Sequence, residues 1–546
     1  MATKVRRRQK RNSTRTVGKV VSKSQPVQRT WAGFFAAWRE INPWKVAGIV
    51  ALAVTVFWVY WPDLNGSWLW DDDYLIENNG LVHDPLGLWN IWLEPWMMID
   101  FFPLTVSLQW ALWQLWPGET MPYHIANVVL HIISCLLVWR LLDKLGVRLA
   151  WVGAAIFAVH PITVESVAWM AEIKNTLSMP PFLLALIAWI DFERTGRTRY
   201  YIASFALFVV AMLCKTSMVT FPVLTLLYAW YLRDRIGWID IKRSIPFFII
   251  SFTFSIILIA LLKHGVGEET IPLGGIASRL ACAGLCIAFY FSKCILPVTL
   301  VPLYPQWPVN PPSPVQFLPW VVMAFMLYYL WTKRTRFGKA ALLGFGFFLI
   351  SIGPFTGFRA ISFMRFGWTM DHILYIPILG LICLAAAAIS DLDRKLGNSW
   401  RPALWAVVAL VLATFTVNSR HYAGTYVDAV ALWSASLDEY PEGWVAHNNL
   451  GNALSDRGHK YEAEAQYLEA LRINPGYPEA HNNLGIIYYN NGQIDAAITE
   501  FREALKYCPD LEMTQINLAR LLQEQQGARS QATPGFEPGP PPGQGP

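Results

Sequence analysis

Apolar residues along this chain fall into blocks long enough to cross a bilayer, and the polar stretches between the blocks alternate in character. A helix needs about 20 apolar residues to cross the hydrocarbon core, and somewhat shorter runs suffice. Runs over 46–62, 124–142, 149–167, 176–190, 200–213, 217–232, 245–263, 317–332, 340–354, 373–390 and 402–418 predict eleven crossings. Every second gap is rich in Lys and Arg: "RLLDKLGVR" (140–148), "DFERTGRTR" (191–199), "RDRIGWIDIKR" (233–243), "TKRTRFGK" (332–339) and "DLDRKLGNSWR" (391–401). Short basic loops stay in the cytoplasm. This parity puts 63–123, 160–175, 214–216, 264–316, 355–372 and everything past about 418 on the opposite face. The apolar segment 279–300 would invert the later loops if it crossed, so it is expected to be re-entrant or interfacial.

Past the last apolar run the pattern changes to a repeat. Leu450/Leu484, Gly451/Gly485, Ala463/Ala497, Tyr467/Phe501, Ala470/Ala504 and Pro475/Pro509 are all 34 residues apart. That is the tetratricopeptide period, in which each helical hairpin packs on the next. The register extends back through Ala429, Trp433 and Pro441 and forward through Leu518 and Ala519, so half-repeats flank two full ones. The expected organisation is a basic cytoplasmic segment (1–45), a membrane region (46–425) with a large external loop (63–123), repeats (426–526) and a Pro/Gly-rich disordered tail (527–546).

Composition agrees with a membrane class: 54% of the 546 residues are hydrophobic, 15% are charged and 27 are Trp. The first thirty residues are basic and contain no acid, which suits a cytoplasmic flank orienting a retained first span better than a nucleic-acid arm. Six of the seven Cys lie in apolar runs without CxxC spacing, so neither a disulfide framework nor a zinc site is indicated.

Ionisable residues concentrate in the gaps assigned to the external face. "WDDDYLIENN" (70–79) places Asp71, Asp72 and Asp73 beyond the first run, where a carboxylate could act as a general base or merely cap a turn. In "YHIANVVLH", His124, Asn127 and His131 recur on one helix face, which suggests a polar cavity. Two His seven apart with no third ligand do not suggest a metal. "FAVHPITVESVAWMAEIKNTLS" adds His160, Glu165, Glu172, Lys174 and Asn175. Lys215 sits between two apolar runs on a side where cations are disfavoured, as Lys293, Arg359 and Arg365 do on the same face; a ligand phosphate would explain them.

The order of "WDDDYLIENN", "FFPLTVSLQWALWQL", "YHIANVVLH", "FAVHPITVESVAWMAEIKNTLS", "CKTSMVTFP", "KCILPVTLVPLYP" and "DHILYIP", ending in tetratricopeptide repeats, resembles the transmembrane and tetratricopeptide-repeat-containing O-mannosyltransferases and their bacterial relatives over roughly 46–525. The resemblance implies an all-α polytopic bundle of GT-C type with a short α-solenoid. It also implies an inverting enzyme that moves a hexose, mannose in that family, from a polyprenyl-phosphate donor to an acceptor hydroxyl on the non-cytoplasmic face. Carried over residue by residue, the family's acidic pair falls on Asp72 and Asp71, one of them the base, and Asn79 completes the motif; Asp73 is structural. Lys215 holds donor phosphate, with Arg359, Arg365 or His372. His124, Asn127, His131, His160, Glu165, Glu172, Lys174 and Asn175 match the family's polar cluster. Two departures stand out: Thr216 follows the lysine, where Pro or Glu is usual, and His372 replaces an Arg and could hold phosphate only when protonated.

No cofactor or divalent metal is implied beyond the lipid-linked sugar as co-substrate. The implied partners are that donor, membrane lipids and a protein or peptide acceptor held by the repeats, with no nucleic acid. The implied location is a bacterial inner membrane with periplasmic repeats, or an endoplasmic-reticulum membrane with luminal ones. Two other classes compete: a membrane-anchored repeat scaffold, which needs one span, and a lipid-linked sugar transporter, which should carry midplane charges and repeated halves.

Overall fold

The computed structural model describes residues 43–98, 101–265, 271, 273–335, 337–358 and 361–532. The basic segment 1–42, Arg359 and the tail from 533 lie outside the described residues. The chain divides into compact units 1–49 and 50–546. The first is described only where its opening helix begins.

Helices of ten or more residues are α1 (Pro43–Tyr60), α2 (Pro103–Leu115), α3 (Met121–Leu145), α4 (Ala150–Val159), α5 (Ile173–Thr195), α6 (Thr198–Cys214), α7 (Phe221–Arg233), α8 (Trp238–Gly265), α9 (Ile276–Ile295), α10 (Leu318–Thr332), α11 (Gly338–Ile352), α12 (Ile378–Lys395), α13 (Arg401–Thr425), α14 (Ala429–Glu439), α15 (Trp444–Asp456), α16 (Lys460–Ile473), α17 (Pro478–Asn490), α18 (Ile494–Tyr507) and α19 (Glu512–Ala532). No strand occurs among the described residues. The protein is an all-α, multi-pass membrane bundle followed by a helical-hairpin solenoid.

Local sequence sets many of the helix ends. Pro opens α2, α3, α7, α10, α13 and α17, where its missing N–H costs no helical bond. Gly146 and Gly196 close α3 and α5 in the left-handed conformation. The last helix runs to Ala532, past the expected boundary at 526, because "GARSQA" has no Pro and its Ala, Arg and Gln offset one Gly.

Among the described residues, eight helices are long and apolar enough to cross a membrane, or nine if α4 and the short helix after it form one span bent by 58°. Eleven crossings were expected. The helices α6, α7 and α12 fall outside the eight, the first two because they are short. Segment 279–300 is corrected in form: α9 is an unbroken helix without a re-entrant break. It is nevertheless flanked by the 357–370 stretch, with Arg279 bonding Phe358 O, Cys286 facing Trp368 O and Tyr290 facing Met370 N.

The five basic loops meet at one end of the bundle. Lys144 pairs with Asp191, Arg148 with Asp393, Arg233 with Glu193 and Lys339 with Asp234, so each loop is joined to another by an ion pair. The α6 helix starts at that end and delivers Lys215 to the other, about 25 Å away.

In the solenoid the 34-residue spacing becomes contact. A Cβ on Gly451 would lie 2.6 Å from the Tyr467 ring, and one on Gly485 2.7 Å from the Phe501 ring. Each Gly is therefore the socket for its own hairpin's aromatic residue. Gly485→Ala is expected to destabilise the repeats by about 1–3 kcal/mol. Hydrogen exchange across 478–507 should rise while the membrane helices stay protected.

Candidate functional site

The site is assembled where four stretches converge: the acidic loop after α1, the turn before α5, the α6–α7 junction and the segment before α12. Glu172 lies at its centre, buried. Its Oε1 lies 2.9 Å from Lys174 Nζ and 3.8 Å from His372 Nε2, and its Oε2 accepts from Asn175 at 2.6 Å and lies 3.5 Å from Lys215 Nζ. Lys215 also donates to Asn175 Oδ1 at 2.5 Å. Glu165 holds His372 twice, through its backbone N–H and its Nδ1, both at 2.9 Å. Buried charges persist when paired in this way. Lys215, Lys174, His372, Glu165, Glu172 and Asn175 thus form one connected group.

The three aspartates have different fates. Asp72 is fully buried; its Oδ2 accepts from Leu69 N–H at 2.9 Å and its Oδ1 from Ala171 N–H at 2.6 Å. Both oxygens are committed to fastening the loop to the turn before α5. Asp73 is exposed and bonds Asn78. Asp71 is only partly buried and faces the cluster, with Lys174, Glu172 and His372 near enough to act on its charge and Tyr74 hydrogen-bonded to it. Burial pushes its carboxyl up to about 6; Glu172 adds to this, and Lys174, Tyr74 and His372 oppose it. Of the three, only Asp71 joins ionisability to access.

Asn79, the last residue of the acidic motif, caps the short helix that follows, accepting from Leu81 N–H at 3.0 Å. A small cavity of about 20 Å³ opens beside it, lined mainly by apolar groups such as Leu75, Met98, Phe102 and Val106, with Lys174 in its wall.

Four residues expected in the polar cluster lie elsewhere. His124 sits 3.6 Å from Asp63, both fully buried. Asn127 donates to Trp169 O and accepts from Thr176. His131 meets Tyr375 OH at 2.8 Å. His160 Nδ1 accepts from Ile162 N–H, which leaves Nε2 protonated to donate to Cys294 O at 3.1 Å. Sharing a helix face brought the residues of "YHIANVVLH" to bundle seams, where Asn127 and His131 bond neighbouring elements and His124 meets Asp63 without a hydrogen bond. Arg365 pairs with Glu479 of α17.

Asp371 went unnoticed in the sequence. It is buried with the Tyr304 hydroxyl 2.9 and 3.0 Å from its two oxygens, and burial and the Glu165 charge push it well up. Its signal was its place beside His372 in "DHILYIP".

Residues 103–262 match the family model described as dolichyl-phosphate-mannose-protein mannosyltransferase, and 451–492 and 478–511 match tetratricopeptide-repeat models. Similar curated proteins include a Protein O-mannosyl-transferase of Caenorhabditis elegans, 23% identical over 76% of this chain and 61% of its own length. Protein O-mannosyl-transferase TMTC3 of Mus musculus is 22% identical over 80% and 52%, and TMTC1 of Homo sapiens 24% over 76% and 54%. The chain spans little more than half the length of these relatives. Among solved structures, ArnT from Cupriavidus metallidurans bound to undecaprenyl phosphate aligns with 85% of this chain and 80% of its own at 15% identity and a TM-score of 0.37. The chain is thus similar in sequence to proteins named protein O-mannosyl-transferases.

Proposed function

We propose that this protein is an inverting membrane glycosyltransferase of GT-C type that moves mannose from a polyprenyl-phosphate donor to a hydroxyl, of protein Ser or Thr, on the non-cytoplasmic face. The observation that carries this reading is Asp71, a raised and accessible carboxyl beside Lys174, in a cluster where Lys174, Lys215 and His372 gather around Glu172.

Asp71 takes the acceptor hydroxyl's proton as the oxygen attacks the anomeric carbon from the face opposite the phosphate. The bond from that carbon to the phosphate oxygen breaks, and polyprenyl phosphate leaves. A phosphate leaves without a strong general acid, so Lys215, Lys174 and His372 need only hold its charge. The five joined basic loops are assigned to the cytoplasm, which puts the site and the repeats outside it.

The test is transfer of radiolabelled mannose from polyprenyl-phosphate mannose to Ser/Thr-rich peptides by the purified protein in lipid. Lipid-sugar flipping without transfer would favour the transporter, and neither activity the scaffold. Because the base must be deprotonated, kcat/KM should rise with pH through an acid limb near 6. Lys174 favours the charged carboxylate, so Lys174→Met should move that limb to higher pH.

A further inference from the structure

Trp70, the residue before Asp71, has φ of +44°, a left-handed conformation that a bulky side chain rarely adopts. Such a backbone persists only where its surroundings hold it. Its indole lies flat on Trp169, with centroids 5.3 Å apart and planes 5° from parallel. Two further rings meet it edge-on: Trp433 at 5.2 Å, from α14, the helix that leads from the last span into the repeats, and Phe366 at 6.3 Å. Trp433 is almost fully buried. Four further bonds complete the fastening: Ser67 N–H donates to Val427 O at 2.9 Å, Trp169 Nε1 to Leu69 O at 3.3 Å, and Asp72 accepts from both Leu69 and Ala171 N–H.

The loop bearing Asp71 is therefore gripped from two sides. One side, the turn before α5, belongs to the charged cluster; the other, α14 with residues 426–427, belongs to the solenoid's leading end. We infer that Trp433 is a positioning residue: the first helix of the repeat region holds Trp70 in its left-handed conformation and so aims Asp71 at the acceptor. The repeats are then a structural part of the active site as well as an appended module. This inference rests on the glycosyltransferase reading for its kinetic consequence and on geometry alone for its structural one.

The experiment uses the full chain in lipid nanodiscs, comparing wild type, Trp433→Ala, Trp433→Leu and Trp433→Phe, with Trp151→Leu as a control that breaks a stacked pair with Trp405 elsewhere in the bundle. Hydrogen exchange of residues 66–73 should rise at least tenfold in Trp433→Ala, with α3, α5 and 478–507 unchanged. With polyprenyl-phosphate mannose and a Thr-rich peptide, kcat should fall at least tenfold at unchanged donor KM. Phe at this position should restore most of both, and Trp151→Leu should alter neither. If Trp433→Ala does not fold, Trp433→Leu, which keeps most of the volume but not the ring, decides by the same measurements. Wild-type exchange at 66–73 in the deciding variant overturns the inference, as does a fall in kcat that Phe does not rescue. An inactive wild type refutes the enzyme reading and leaves the exchange result to judge the clamp by itself.

Discussion

Asp71→Asn is expected to lower kcat by about 10²- to 10⁴-fold, the usual contribution of a positioned base, while the folded state keeps its stability. Asp71 is partly exposed and its charge serves no backbone donor among its described contacts, so an amide fits without leaving a partner stranded. Asp72→Asn should behave in the opposite sense. An Asn there can accept one of the Leu69 and Ala171 N–H groups, but its NH2 must face the other. A buried donor left unsatisfied costs about 1–3 kcal/mol, so the midpoint of thermal unfolding should fall, with activity lost in step with the folded fraction. Steady-state rates alongside thermal melts of both variants separate the roles. A folded but inactive Asp72→Asn beside an active Asp71→Asn would reverse the assignment.

Lys215→Met is the second large effect. Methionine keeps much of the length and apolar stem, so the α6–α7 junction should still pack, while the ammonium beside Glu172 and Asn175 is lost. If that ammonium holds donor phosphate, kcat/KM for the lipid donor should drop on the order of 10²-fold, the scale of losing one donor to developing negative charge. Lys215→Arg should recover part of the loss. Unchanged kinetics across a series of donor concentrations would count against the role.

Much of the architecture was legible because membrane and repeat constraints write themselves on single residues. A crossing helix must be apolar throughout, and a hairpin repeat must put Gly against Tyr467 or Phe501 every 34 residues. The site was legible only as a set of candidates. Burial and partnering decide which ionisable groups meet, and neither has a fixed spacing. His124, His131 and His160 resemble cavity residues in sequence because a polar group in an apolar run stands out whatever it packs against. Asp71 and Asp72 are chemically identical neighbours. What distinguishes them is that Leu69 and Ala171 turn their N–H groups toward one and not the other. Trp70 gave no signal, since nothing in "WDDD" announces a positive φ.

Glu172 has a consequence for turnover. It pairs with Lys174 and Lys215 and lies against His372, so an arriving phosphate competes with a resident carboxylate for the same partners. The donor's phosphodiester carries one negative charge and the departing monoester about 1.5 to 2 near pH 7. On the proposed chemistry the spent lipid therefore outcompetes Glu172 better than the fresh one does. The cycle would be paced by escape of the used carrier, with Glu172 as the group that displaces it.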